Sequence, residues 1–280
     1  MSRWLLLATL AVALGAAVGG CAESDPMNAS TRDANGTDVA SYGSLMRVAD
    51  ATRVAGDLPG AVALYRRAAT AKPTAVDPHV RLGETLTQMR AYNEAINSFK
   101  WALQLDPKNA DAMRGWGHAL VGLDQLPLAA TQYQAALAIN PNDYRTLNGL
   151  GVINDMQGNH PQAQGYYQRG LQIAPGNLAL QNNYGLSLAL SGNYDESIRV
   201  LRAVAVNPAA TARNRLNLAL AYGLANQPEE AASASRNDLD TVSIQRNLEY
   251  YATLRAMSQE QRSSAIRGNP NYFPRGSGVQ

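Results

Sequence analysis

The chain has 280 residues, with 24 lysines and arginines against 22 aspartates and glutamates and a formal net charge of +2. That balance leaves no broad basic face, so nucleic acid is not an expected partner. A single cysteine excludes an internal disulfide, and the fold must be held by packing alone.

Residues 1–20 read as a signal peptide. Arg3 gives a positive start, Trp4 to Val18 is apolar, and the run stops at small residues. A membrane-spanning helix needs roughly 20 apolar residues, more than this segment offers. Val18-Gly19-Gly20 directly before Cys21 is similar to a bacterial lipobox, with Val18 where the pattern usually has leucine and Gly19 a less typical member. The resemblance implies that Cys21 carries a diacylglycerol and an acyl chain; no other cofactor is expected. Ala22 in place of aspartate resembles the code for export to the outer membrane, facing the periplasm. Ordinary signal cleavage with a spare cysteine is the other reading. Residues 21–41 are small and polar and are expected to form a flexible tether.

Beyond the tether the chain repeats itself. Pro73, Pro107, Pro141, Pro175 and Pro208 stand 34, 34, 34 and 33 residues apart. Each interval carries two apolar runs at helical spacing around a short polar break, and proline closes the second run because it cannot continue a helix. The units are 42–75, 76–109, 110–143, 144–177, 178–211 and 212–245. A large-small pair recurs in the first helix: Val48-Ala49, Trp116-Gly117, Leu150-Gly151, Tyr184-Gly185, Leu218-Ala219. A small residue recurs in the second: Ala61, Ala95, Ala129, Ala163, Ser197, Ala231. Four positions after it comes a large one in five units: Tyr65, Phe99, Tyr133, Tyr167, Leu201. Small residues let helices approach and large ones fill the space, so a bulky side chain at Gly117 or Gly151 is expected to cost roughly 1–3 kcal/mol. Gly56, Gly158 and Gly192 mark the turns inside their units.

These positions together resemble the tetratricopeptide repeat, whose signature is W-x2-L-G-x2-Y, then A-x3-F, then a final proline. The resemblance covers about residues 42–245 and implies an all-α, right-handed α-solenoid of about six repeats. It is weakest in the last unit, where Ser235 replaces the aromatic residue. Residues 246–257 are expected to form a C-terminal capping helix, and 258–280 a disordered tail.

No catalytic constellation stands out. His79, His118 and His160 fall at different phases, so they offer no metal site. His118 is expected on the inner face, His79 and His160 on the surface. Asp106, Asp143 and Asp195 lie where helix ends need caps. The chain is therefore expected not to be an enzyme.

Solenoids of helix pairs bind partners on the face lined by their first helices. Positions 2, 5, 9, 12 and 13 of each unit share that stripe. The middle units supply Arg114, His118, Arg145, Asn148, Asp155 and Asn182, and an apolar stretch follows with Val152, Met156, Leu186, Leu190, Leu216 and Leu220. In one reading the asparagines hold a peptide backbone, Arg114 and Arg145 its carboxylates, and the apolar stretch its anchors. In the other, residues 246–257 fill the apolar end and only the polar part is open.

Signal, lipobox, repeats and the terminal segment Asn247-Leu248-Glu249-Tyr250-Tyr251-Ala252-Thr253-Leu254-Arg255-Ala256-Met257 together resemble the TadD family of the Flp (Tad) pilus apparatus. That resemblance implies an outer-membrane scaffold for tight adherence and secretion, with a secretin or another pilus-assembly protein as partner. A type IV pilus pilotin and a regulator of cell-wall synthesis enzymes are the alternatives.

Overall fold

The computed structural model describes Thr31–Arg32, Asp38–Val39 and residues 41–267. Residues 1–20, read above as a signal peptide, Cys21 and residues 268–280 lie outside the described residues. The chain divides into two units at Ser41. In the first, β1 (Thr31–Arg32) pairs antiparallel with β2 (Asp38–Val39), Thr31 opposite Val39 and Arg32 opposite Asp38. The tether expected over 21–41 therefore contains a short ladder.

The second unit is helical. Its first six helices are α1 (Tyr42–Val54), α2 (Leu58–Ala71), α3 (Asp77–Gln88), α4 (Tyr92–Leu105), α5 (Ala110–Gly122) and α6 (Leu126–Ile139). The next six are α7 (Tyr144–Met156), α8 (His160–Ile173), α9 (Leu178–Leu190), α10 (Tyr194–Ala205), α11 (Ala212–Leu224) and α12 (Pro228–Ser235). Two more follow, α13 (Thr241–Ala256) and α14 (Gln259–Arg267). Each of the first twelve packs on the next, and α3, α5, α7, α9 and α11 also pack on one another as an inner row.

The repeat positions explain this order. The phased prolines Pro73, Pro107, Pro141 and Pro175 each follow the residue that ends a second helix. First helices start on caps that are also 34 residues apart: Asn109, Asp143 and Asn177 accept backbone N–H groups from Ala112, from Arg145 and Thr146, and from Leu180. The small residues Ala61, Ala95, Ala129, Ala163 and Ser197 are fully buried, as are Tyr65, Phe99, Tyr133, Tyr167 and Leu201. Tyr65 donates its hydroxyl to Asp50 at 2.6 Å, and burial first, then that bond, pushes its pKa up to about 12.

The turn inside each unit carries one residue in the left-handed region, and these too recur every 34 residues: Gly56, Arg90, Asp124, Gly158, Gly192 and Asn226. Glycine marks three of the six turns. Arg90, Asp124 and Asn226 adopt the same conformation with a side chain.

The C-terminal end differs from the sequence expectation. The second helix of the sixth unit stops at Ser235, and Asp240 opens a new helix by accepting from the Ser243 N–H at 2.8 Å. The capping helix thus spans Thr241–Ala256 rather than 246–257. Residues 259–267, expected to be disordered, form α14. Ser258 and Gln261 cap it reciprocally: the Gln261 N–H donates to Ser258 Oγ and the Ser258 N–H to Gln261 Oε1. Ser258-Gln259-Glu260-Gln261 is a capping-box sequence, so this start was readable in principle.

Candidate functional site on the inner face

A hollow of about 870 Å³ lies on the inner face of the first four units. The spacing rule used for the middle units also describes its floor. Positions 2, 5, 9, 12 and 13 of the second unit are Asp77, Val80, Glu84, Thr87 and Gln88, and all five line it. Asp111, Arg114 and His118 follow from the third unit and Arg145 from the fourth. Arg53, Arg81 and Arg90 complete its basic lining and were not picked out from the sequence. Arg53 falls at position 12 of the first unit, so the same rule reaches it. Arg90 is the turn residue with positive φ.

The arginines are not equivalent. Arg114 is half-buried and tied to Asp111, with Asp143 at 3.4 Å and Glu84 at 4.0 Å. Burial works against its charge, yet the hydrogen bond and charge of Asp111, helped by Asp143 and Glu84, hold its pKa above the ordinary value. Arg81 pairs with Glu84 at 3.1 Å. Arg53, Arg90 and Arg145 make no ion pair among the described residues, and Arg145 is exposed with its guanidinium 5.3 Å from the Tyr144 ring. Of the two arginines expected to hold carboxylates, Arg114 already has carboxylates around it, and Arg145 has no ion pair among the described residues.

The asparagines lie elsewhere than expected. Asn148 and Asn182 are buried between neighbouring first helices. Asn183 Nδ2 donates to Asn148 Oδ1 at 2.9 Å, joining α9 to α7, and Asn217 Nδ2 donates to Asn182 Oδ1 at 3.0 Å, joining α11 to α9. They form a ladder that locks the inner row. In the Asn217–Asn182 pair both members are buried, whereas Asn183 is partly exposed; burial is what makes such polar pairs specific.

Asp155 is also buried. Its Oδ1 is 2.8 Å from His160 Nδ1 and accepts from Ser187 Oγ at 2.7 Å, while Oδ2 accepts from the Tyr167 hydroxyl at 2.9 Å. Burial raises its pKa, opposed by the bonds from His160 and Ser187. His160, expected on the surface, is fully enclosed. It opens α8 at the position held by Leu58, Tyr92, Leu126 and Tyr194 in other units, a place for a large inward side chain. His79 is half-buried and stacked on Trp101, ring centroids 6.3 Å apart.

The apolar end is closed. Val152, Leu186, Leu190 and Leu220 are buried, while Met156 and Leu216 are partly so. Leu186, Leu190 and Leu220 share one cluster with Tyr251 and Leu254 of α13 and Ile266 of α14. Two C-terminal helices therefore cover this part of the face, and the polar hollow is the open part.

Comparison with known proteins agrees with this architecture. Residues 76–109 and residues 114–177 each match a family model described as Tetratricopeptide repeat. No curated protein matches the chain in sequence. PilF of Pseudomonas aeruginosa superposes with a TM-score of 0.63 at 17% identity, covering 75% of this chain and 97% of that one. A tetratricopeptide repeat protein from Parabacteroides merdae ATCC 43184 gives 0.60 at 17% identity, covering 75% and 84%. YrrB, a repeat protein described as having an unusual peptide-binding site, gives 0.51 at 19% identity, covering 69% and 98%. At these identities the likeness is one of fold. The chain is an α-solenoid of tetratricopeptide repeats, an architecture built for protein–protein contact.

Proposed function

We propose that the protein is a non-catalytic scaffold that captures an extended, acidic segment of a partner in the hollow across α1, α3, α5 and α7. The lining carries that reading: five arginines face three carboxylates, Asp77, Glu84 and Asp111, and three of the arginines are without an ionic partner among the described residues. A concave wall of one dominant sign concentrates a ligand of the other.

The biological setting rests on the resemblance to the TadD family. On that reading lipid on Cys21 holds the array at the outer membrane, facing the periplasm, and the partner is a secretin or another component of the Flp pilus apparatus. One acyl chain anchors weakly and several on one cysteine anchor firmly. The fold likeness to PilF keeps a type IV pilus pilotin as the second reading. Crosslinking in envelope extracts, followed by mass-spectrometric identification of the captured protein, tests the partner: a pilus component is expected, and exclusive recovery of wall synthases would replace the assignment. Cys21→Ser is expected to move the protein out of the membrane fraction; retention there would discard the lipid anchor.

A further inference from the structure

The covered end of the inner face is held in two different ways. α13 is fixed by large buried groups: Tyr251 and Leu254 are almost wholly enclosed, and Arg255 donates to the Gly223 carbonyl at the end of α11 at 2.7 Å. α14 has far less apolar hold. It packs on α7 and α9, and Ile266 is its one large fully buried apolar side chain among the described residues. The rest is polar. Arg262 donates to the Tyr194 hydroxyl at 2.8 Å and to the Leu254 carbonyl at 3.0 Å. Ser263 Oγ is 2.7 Å from His160 Nε2. A helix of this length does not persist alone in water, and Met257, in extended conformation, separates it from α13.

The His160 contact serves α14 in either proton arrangement. With Nδ1–H given to Asp155, Nε2 accepts from the Ser263 hydroxyl. In the imidazolium, Nε2–H donates to Ser263 Oγ, whose own proton turns to the Gln259 carbonyl 2.9 Å away. Asp155, His160 and Ser263 therefore line up like an orienting acid, base and nucleophile. Among the described residues, no pair of free backbone N–H groups of the kind such a nucleophile needs faces Ser263. The neighbouring N–H groups of Gln157 and Gly158 are spent on Ile153 and Asp155 carbonyls, and those around Ser263 lie inside a helix. The arrangement recognises a hydroxyl; it does not activate one.

We infer that the inner face of α7 and α9, with His160 at its floor, is a second binding surface, one for a short amphipathic helix, and that α14 is its internal occupant. The partner it fits has the chemistry α14 displays: an arginine, then a serine or threonine opposite His160, and an aliphatic residue three positions further on. Such a helix competes with α14, while α13 stays in place as the cap. This surface is separate from the arginine-lined hollow, and its test does not depend on that hollow being occupied.

The probe is a fluorescein-labelled synthetic peptide of residues 257–268, titrated by anisotropy against full-length protein. The wild-type chain, with its own α14 seated, is expected to bind it at least tenfold more weakly than Ile266→Asp, which expels α14. Adding His160→Leu to Ile266→Asp is expected to abolish binding. Far-UV melting checks that the variants fold, and the milder Arg262→Ala/Ser263→Ala double variant replaces Ile266→Asp if that chain does not. Hydrogen exchange over residues 259–267 should be slow in wild type and fast in the release variant. Equal affinity for wild type and variant, or no binding to a folded release variant, overturns the inference. Covalent labelling of Ser263 by a fluorophosphonate would overturn it too, in favour of a nucleophile.

Discussion

Tyr251 of α13 lies so close over Gly223 of α11 that a methyl group on the glycine would sit 2.2 Å from the tyrosine ring. The sixth unit has Ser235 where the first four units carry an aromatic residue and the fifth Leu201, and its second helix is short. Tyr251 brings a ring to α11 from the following helix instead. Gly223→Ala is therefore expected to push α13 away and to cost about 1–3 kcal/mol by overpacking. Tyr251→Leu should absorb part of that loss, so the double variant should be less destabilised than the sum of the singles. Chemical denaturation of the four chains measures it; strict additivity would mean that the two residues do not meet.

The same argument ranks three inner glycines. A methyl group at Gly151 would approach the Tyr167 ring to 2.4 Å, and one at Gly149 the Tyr133 ring to 2.5 Å, whereas at Gly117 the nearest Tyr133 atom is 3.2 Å away. Alanine in a helix gains about 1 kcal/mol over glycine. Gly149→Ala and Gly151→Ala are expected to lose about 1–3 kcal/mol all the same, and Gly117→Ala to lie near zero. A bulky side chain at Gly117 or Gly151 is a separate matter from alanine; for a single added methyl group the tighter neighbour of Tyr133 is Gly149, on the next unit. Urea midpoints of the three variants would decide the ranking.

Arg90 holds a φ of 62° at the turn position where three other units have glycine. A left-handed residue with a side chain costs roughly 1–2 kcal/mol, and part of any gain from glycine is lost again to unfolded-state entropy. Arg90→Gly is expected to stabilise the chain by about 0.5–1 kcal/mol. Asn226→Gly should gain less, because asparagine tolerates this region. A fall in the denaturation midpoint of Arg90→Gly would show that the arginine contributes more than its backbone costs.

The fold was largely legible because its cause is periodic. Close approach at Ala61, Ala95, Ala129 and Ala163, filling by Tyr65, Phe99, Tyr133 and Tyr167, and chain reversal near Pro107, Pro141 and Pro175 recur at one interval, and a local pattern suffices to read them. The inner face was legible in part. Helical spacing places Arg114, His118 and Arg145 beside one hollow, but it does not say whether a polar residue points outward or sideways. Asn148 and Asn182 point sideways, and seeing that requires pairing them with Asn183 and Asn217, each 35 residues further on. His160 could have been found by aligning it with Tyr92 and Leu126. The seat of α14 depends on contacts such as Ser263 with His160, 103 residues apart in the chain, which no periodicity announces.

Arg215 and Asp238 join α11 to the segment after α12 through two hydrogen bonds of 2.7 and 2.6 Å. The bond from Arg215 lowers the pKa of Asp238 below its ordinary 3.8. A lowered carboxylate pKa means that the pair's stabilisation is complete above the unfolded value and is lost as pH falls through the folded one. Asp238→Asn is therefore expected to lower the thermal midpoint at neutral pH, and the gap to wild type should close as the pH drops below about 4, the range of an ordinary aspartate. A gap that persists unchanged in strong acid would assign the loss to packing rather than charge.

The hollow makes a sharper distinction among arginines. Arg53 and Arg145 are without ion pairs among the described residues, whereas Arg114 is bound into Asp111 and Asp143. Reversing the first two changes the field of the hollow and breaks no ion pair among the described residues; reversing Arg114 sets a fourth acid beside Asp111, Asp143 and Glu84 in a half-buried place, which like-charge repulsion penalises. Arg53→Glu/Arg145→Glu is expected to melt like wild type while capture of an acidic partner falls at least tenfold, as loss of complementary charge predicts. Arg114→Glu is expected to lower the melting temperature itself. Wild-type capture should also weaken as salt rises, since a field from exposed charges is screened within about 8–10 Å at moderate ionic strength. Capture that survives the double reversal, or that is indifferent to salt, would remove electrostatics from recognition and leave the hollow to a ligand read by shape.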